Sequence, residues 1–190
     1  MAILNSLLAL LDSRSFSTVW YWILLFGLWS VAGRRVIGVP VEILTRARGA
    51  LRSGRAESPE VMSLLDWLSL TLPRLQLGRT EGAVFLAISG FGLSSLAILG
   101  FFYLLEAAQA LTLLLLPFFL LFWMRIYLVR RLTPLMEQAE TGAIPVSHLA
   151  RQAVQQMTWH HRFISLLSIV SVTATAFWGT IWMIRHPFGI

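Results

Sequence analysis

The run Gly82–Leu105 constrains this chain more than any other stretch: 24 residues without a charge, closed by Glu81 on one side and Glu106 on the other. A bilayer core of about 30 Å takes roughly 20 helical residues, so the run is long enough to cross one. Directly beyond Glu106 comes a second apolar stretch, Ala107–Met124, which contains AQALTLLLLPFFLLFWM. As one helix the two runs would be about 65 Å long at 1.5 Å per residue, twice what a bilayer accepts. The spacing therefore predicts a tight helical hairpin with Glu106 at its turn. Two more runs have the same character. Phe16–Gly33 is expected to continue as helix through Arg34 and Arg35 toward Pro40, the guanidinium groups reaching to the headgroups, and Phe163–Ile184 lies between Arg162 and Arg185. The fold class read from this pattern is an all-α membrane protein: four transmembrane helices with amphipathic helices in two cytoplasmic loops. The spans fall at about 16–36, 82–105, 107–128 and 163–184, the loops at 37–81 and 129–162, and residues 1–190 form a single transmembrane domain.

Composition agrees. Of 190 residues 57% are hydrophobic and 13% charged, where a soluble domain carries about a quarter charged. Such a chain has little left for a separate soluble domain, which excludes most enzyme folds. The absence of cysteine excludes disulfides, thiolate metal sites, cysteine-ligated clusters and a cysteine nucleophile. All 15 basic residues are Arg, which beside abundant Ala, Gly and Leu fits a GC-rich bacterial genome.

The net charge of +6 could suggest nucleic acid, but its distribution argues for orientation instead. Eight arginines lie between the first and second spans and five between the third and fourth, against Arg14 and Arg185 on the other side. By the positive-inside rule both long loops face the cytoplasm and both termini the periplasm of a bacterial inner membrane. The aromatics fall into two belts that suit this orientation. Trp20-Tyr21-Trp22, Phe101-Phe102-Tyr103, Trp178 and Trp182 lie at the periplasmic level, and Trp123, Tyr127 and Trp159 at the cytoplasmic one.

Within the loops, Ser58-Pro59 reads as an N-cap followed by proline at the first helical position. Val61, Leu64, Leu65, Leu68 and Leu72 then recur on one face until Pro73. Thr133-Pro134 predicts a short helix ending near Gly142, and Ser147 another running through Met157 into the fourth span. These faces can be buried only on the membrane surface, on each other or on a partner. The segment AILNSLLALL lacks a basic n-region and an Ala-x-Ala cleavage site, and reads as a retained interfacial helix.

No catalytic, cofactor or metal site emerges. No histidine lies mid-span where a haem or chlorophyll would want an axial ligand, and His160-His161 are adjacent rather than i, i+4, so they read as a solvated or headgroup-facing pair. Small residues form two rows suited to close helix packing, Gly90, Ser94 and Ala97 in the second span and Ser168, Ser171, Thr175 and Gly179 in the fourth. The densest charge run, TRARGALRSGR, places Arg46, Arg48, Arg52 and Arg55 together. It reads as a contact for anionic lipid or an acidic partner surface, or simply as the topology signal. Nucleic acid is excluded because no recognition motif or aromatic platform accompanies it.

The sequence resembles a family of small four-span inner-membrane proteins of alphaproteobacteria labelled "component of SufBCD complex". The resemblance is carried by Asp12-Ser13-Arg14-Ser15-Phe16, Trp20-Tyr21-Trp22, Trp29-Ser30 and Gly38-Val39-Pro40, and by Gly100-Phe101, Tyr103, Glu106 and Gln109-Ala110. It implies association with iron–sulfur assembly and a host complex of respiratory or photosynthetic type. The residues themselves point to a non-catalytic accessory, assembly or scaffolding subunit with membrane lipids and a membrane-protein complex as partners. A transport or channel component is the alternative, and a lipid-acting enzyme using Glu106 or the loop histidines is a third reading.

Overall fold

The computed structural model of the chain describes residues 15, 16 and 18–185. The segment expected to be an interfacial helix, residues 2–11, and His186 lie outside them. Six α-helices make up almost all of the described chain: α1 Val19–Arg34, α2 Val41–Arg52, α3 Pro59–Thr71, α4 Arg79–Ala97, α5 Glu106–Glu140 and α6 Val146–Arg185. Two two-residue strands, β1 Arg35–Val36 and β2 Val39–Pro40, pair antiparallel between α1 and α2. Three helices are long and apolar enough to cross a membrane: Thr80–Phe102, Glu106–Glu140 and Val146–Arg185.

The chain divides into two compact units. One contains the segments up to Ser30, Arg79–Leu120 and from Leu166 onward; the other contains Val31–Gly78 and Leu121–Ser165.

The first unit is organised around the predicted hairpin. After Ala97 the helix widens into a π turn, Ile98–Phe102, and the chain reverses through Leu104 at φ 59° before α5 starts at Glu106. The π turn brings Gly100 onto the first turn of α5: a Cβ there would lie 2.6 Å from the Gln109 backbone nitrogen, so only glycine permits the approach. At the predicted hairpin turn Glu106 is buried, at 9% exposure, and Gln109 is fully buried. The Phe16 N–H donates to Glu106 Oε1 at 2.7 Å and the Trp182 indole N–H to Oε2 at 3.1 Å. Gln109 Nε2 donates to the Gly100 carbonyl at 2.8 Å, and its Oε1 accepts from the Trp178 indole at 2.8 Å. The geometry is simple: two acceptors at i and i+3 on α5 meet two indole donors at i and i+4 on α6. Read from sequence as interface-belt rings, Trp178 and Trp182 are thus hydrogen-bond donors to buried groups. α1 joins the same cluster through the Tyr21 hydroxyl, which donates to the Ala110 carbonyl at 3.1 Å. Leaving such an amide unpaired in apolar surroundings costs about 2–7 kcal/mol, so this clasp fixes the relative register of α1, α5 and α6.

The second unit carries its own core. α1 ends at Arg34 rather than continuing toward Pro40, because Ile37 and Gly38 both adopt positive φ, 52° and 80°, and fold the chain into a two-residue hairpin. α3 begins at Pro59 with Ser58 at the cap position and buries Val61, Leu64, Leu65 and Leu68, the face anticipated from sequence. It packs against Leu44, Ala47 and Ala50 of α2. Leu128, Val129 and Leu132 of α5 and Leu149, Ala150, Ala153, Val154 and Met157 of α6 close this core.

Both expected short helices of the second loop are continuations of the long ones. α5 runs through Thr133-Pro134 without a break. The Thr133 hydroxyl donates to the Val129 carbonyl at 2.9 Å, and Pro134 is exposed, where a missing helical N–H costs least. α5 stops at a Schellman turn, with Gly142 at φ 73° and Ala143 N–H donating to the Gln138 carbonyl at 2.8 Å. Ser147 lies inside α6, which begins one residue earlier.

Replacing Gly100 by Ala forces α4 off α5 and is expected to destabilise by about 1–3 kcal/mol, seen as a lowered Tm of the detergent-solubilised protein. Gly90→Ala is the internal control: a Cβ at Gly90 meets nothing within 4 Å, and its Tm stays level or rises slightly.

Candidate functional site

The four arginines singled out in the first loop do not form one patch. α2 buries Leu44, Ala47 and Ala50, and its arginines leave the buried face on opposite sides. Arg46 lines a small cleft with Ile43, Pro59, Glu60 and Ser63. The Glu60 carboxyl there is held below the ordinary carboxylate value, chiefly by its own backbone N–H at the start of α3, with Arg55 and Arg46 adding to it. Beyond Arg52 the helix closes in a Schellman turn at Gly54, φ 77°, with Arg55 N–H donating to the Ala50 carbonyl at 3.0 Å. Arg55 is thereby turned out of helical register, and its Nε donates to the Ser53 hydroxyl at 3.2 Å.

Arg48 and Arg52, one helical turn apart, face α6 instead. They line a cleft of about 570 Å³ whose other wall is Arg151, Val154, Gln155, Thr158 and Arg162, with Leu51 and Gly54 completing it. On α6 the residues 151, 155, 158 and 162 fall at i, i+4, i+7 and i+11, a single stripe. Among the described residues no acidic side chain lines the cleft. The Arg48 guanidinium is pushed below its ordinary value first by Arg52 and then by its partial desolvation and by Arg162, so its charged neighbours are cations. Thr158 adds a buried hydroxyl oxygen with no hydrogen-bond partner. Arg151 and Arg162 were legible from sequence only as part of the positive-inside count. The signal that would have found them is the 151–155–158–162 spacing.

The small-residue rows have different fates. In α6, Ser171 and Thr175 are buried, at 8% and 0% exposure, and Gly179 lies 3.1 Å, as an added Cβ would, from the Phe16 ring. In α4, Ser94 is exposed and nothing lies within 4 Å of a Cβ at Gly90 or Gly92.

His160, read as one of a pair facing water or headgroups, is buried at 4% exposure, while His161 is half-buried. The i, i+1 offset on α6 sends the two imidazoles in different directions. Among the described residues no group of three or more His, Asp or Glu side chains is placed to hold a metal ion.

The fold thus defines a helical chain with three membrane-length apolar helices and a second, independently cored helical unit. No protein-family model, curated protein or solved structure matches it.

Burial, with Arg125 and His161 nearby, depresses the His160 pKa from 6.5 to about 4. The imidazole is therefore neutral in the folded chain and protonated in the unfolded chain between those values. Over that interval the unfolded state binds more protons, so stability is complete above about pH 6.5 and falls as pH drops toward 4. Denaturant midpoints at pH 7 and pH 5 should differ for the native protein, and the difference should shrink in His160→Phe.

Proposed function

We propose that the chain is a four-span protein of a bacterial inner membrane that acts by association, as a non-catalytic accessory, assembly or scaffolding subunit of a larger membrane complex. α1 supplies the fourth span in this reading. Its 16 residues follow directly on the anchored Phe16, and the exposed Arg34 and Arg35 mark its far end. The arginine count sets both long loops in the cytoplasm and both termini in the periplasm.

The observation that carries the proposal is the state of α4. Only 6% of its apolar window is buried within the chain. In its row Ser94 is exposed, Gly90 and Ala97 are half-buried, and nothing lies within 4 Å of a Cβ at Gly90 or at the nearby Gly92. Glycine in a helix interior costs about 1 kcal/mol relative to alanine, and lipid chains return nothing for it. A second helix does, because small residues let two backbones approach closely. The polar groups of the apolar helices support the same reading from the other side. Both carboxylate oxygens of Glu106 and both ends of the Gln109 amide are engaged in the clasp, so they serve packing.

In a mild-detergent purification followed by mass spectrometry, a companion is expected in fixed stoichiometry. Gly90→Leu with Ser94→Leu should lower its recovery by roughly tenfold, the equivalent of about 1.4 kcal/mol, while the Tm of the isolated chain holds. Purification as a lone monomer under conditions that keep other membrane complexes whole overturns the proposal. The topology has its own test: a phosphatase fused after Ile190 should be active, and activity of a cytoplasm-only reporter there reverses it.

A further inference from the structure

We infer that the cleft between α2 and α6 is a binding site for a ligand carrying at least two phosphate groups, held by Arg48, Arg52, Arg151 and Arg162. Four guanidinium groups from two helices converge on one cleft, and among the described residues no carboxylate lines it.

 Arg48 and Arg162 stand 114 positions apart, so the convergence is a product of the fold and not of local sequence. Like charges held together in this way repel, and an unliganded cluster has no internal counter-charge to offset that. Planar guanidinium forks match phosphate oxygens in pairs, and the unpartnered Thr158 hydroxyl offers a further donor in the same wall.

Size and shape narrow the ligand. A cleft of about 570 Å³ lies in the range of small-molecule sites, roughly 300–1,000 Å³, and is too large for one inorganic ion. Arg151 and Arg162 lie 11 residues apart on one helix, about 16 Å along its axis, so a single phosphate cannot engage both ends. Val154 and Leu51 add apolar wall between the cations. Arg162 directly precedes the apolar run that begins at Phe163. If that run is a span, as proposed above, the Arg162 end of the cleft lies at headgroup depth, and an anionic lipid with two phosphodiesters can enter from the bilayer. A soluble polyphosphate compound presents the same chemistry from the aqueous side.

The test uses the full chain in phosphatidylcholine nanodiscs, with two probes. One is inorganic tripolyphosphate, followed by calorimetry; the other is cardiolipin built into the disc, followed by the rise in Tm. The cleft variant carries Arg48→Gln, Arg52→Gln, Arg151→Gln and Arg162→Gln. The control removes the same charge elsewhere, through Arg46→Gln, Arg55→Gln, Arg74→Gln and Arg130→Gln. The cleft variant should weaken binding of at least one probe by roughly tenfold or more, and the control by less than about threefold, with the difference shrinking at high salt. Response to cardiolipin alone assigns a lipid headgroup, and response to tripolyphosphate assigns a soluble phosphate compound. Binding of neither probe, or equal weakening in both variants, overturns the site. Neither result bears on whether a companion co-purifies through α4, so the two proposals fail separately.

Discussion

The clasp between α5 and α6 is the interaction on which the first unit depends. Glu106 and Gln109 are polar side chains at the head of an apolar helix, and each would be costly there unpaired. Their acceptors are matched by the Trp182 and Trp178 indoles, and the remaining valences go to backbone: the Phe16 N–H and the Gly100 carbonyl. A hydrogen-bonded set of this kind specifies register in a way apolar packing does not. Sliding α6 by one turn would bring one indole to the other's acceptor and leave the second indole without its partner. The same set explains the π turn, since Gly100 must reach the first turn of α5 for its carbonyl to be usable.

A second constraint comes from length. α5 has 35 residues and α6 has 40, about 52 and 60 Å of helix, where a bilayer core accepts about 30 Å. Whatever part of each helix crosses a membrane, about 20 Å or more remains that cannot. An apolar face on that remainder needs cover, and α2 and α3 supply it through Leu44, Val61, Leu64 and Leu68. The segments between the apolar runs are therefore a folded core rather than strips laid on a surface. They also turn two halves of a charge run apart. Because α2 is committed to burying Leu44, Ala47 and Ala50, Arg46 and Arg48 cannot share a side.

These features were unequally legible in the sequence. Apolar runs set by the bilayer dimension are visible in any window, so three membrane-length helices and the hairpin at Glu106 could be read directly. The buried face of α3 was equally plain, because Ser58-Pro59 and Pro73 punctuate it and its leucines keep a helical period. What could not be read were relations between distant residues. Hydropathy treats Trp178 and Trp182 as interface rings and Glu106 as a turn residue; only the matching of i, i+3 acceptors to i, i+4 donors hints at the clasp. Local rules also misplaced two boundaries. Pro134 was expected to start a helix and lies within one, and the chain after Arg34 was expected to stay helical and instead turns at Ile37-Gly38. At Ile37 tertiary packing outweighs propensity: the side chain is 2% exposed, so burial offsets an unfavourable left-handed conformation.

The arginine count shows how one set of charges can answer to two constraints. The positive-inside rule asks only that cations lie in the right loops, and it is indifferent to where in those loops they stand. Scattered placement would satisfy it at the least electrostatic cost, since separated cations are screened over about 8–10 Å at physiological salt. Arg74, Arg130 and Arg131 are placed in that way, exposed and outside the α2–α6 cleft, with Arg131 lying 4.8 Å from the centre of the Tyr127 ring. Arg48, Arg52, Arg151 and Arg162 are not: they converge across two helices, and the neighbouring Arg52 and Arg162 lower the basicity of Arg48. Orientation cannot account for that convergence, because moving any of the four to the outer face of its helix would leave the loop charge unchanged. A phosphate-bearing ligand of the kind proposed would account for the convergence, and the core formed by α2, α3, α5 and α6 would hold the site in place for it.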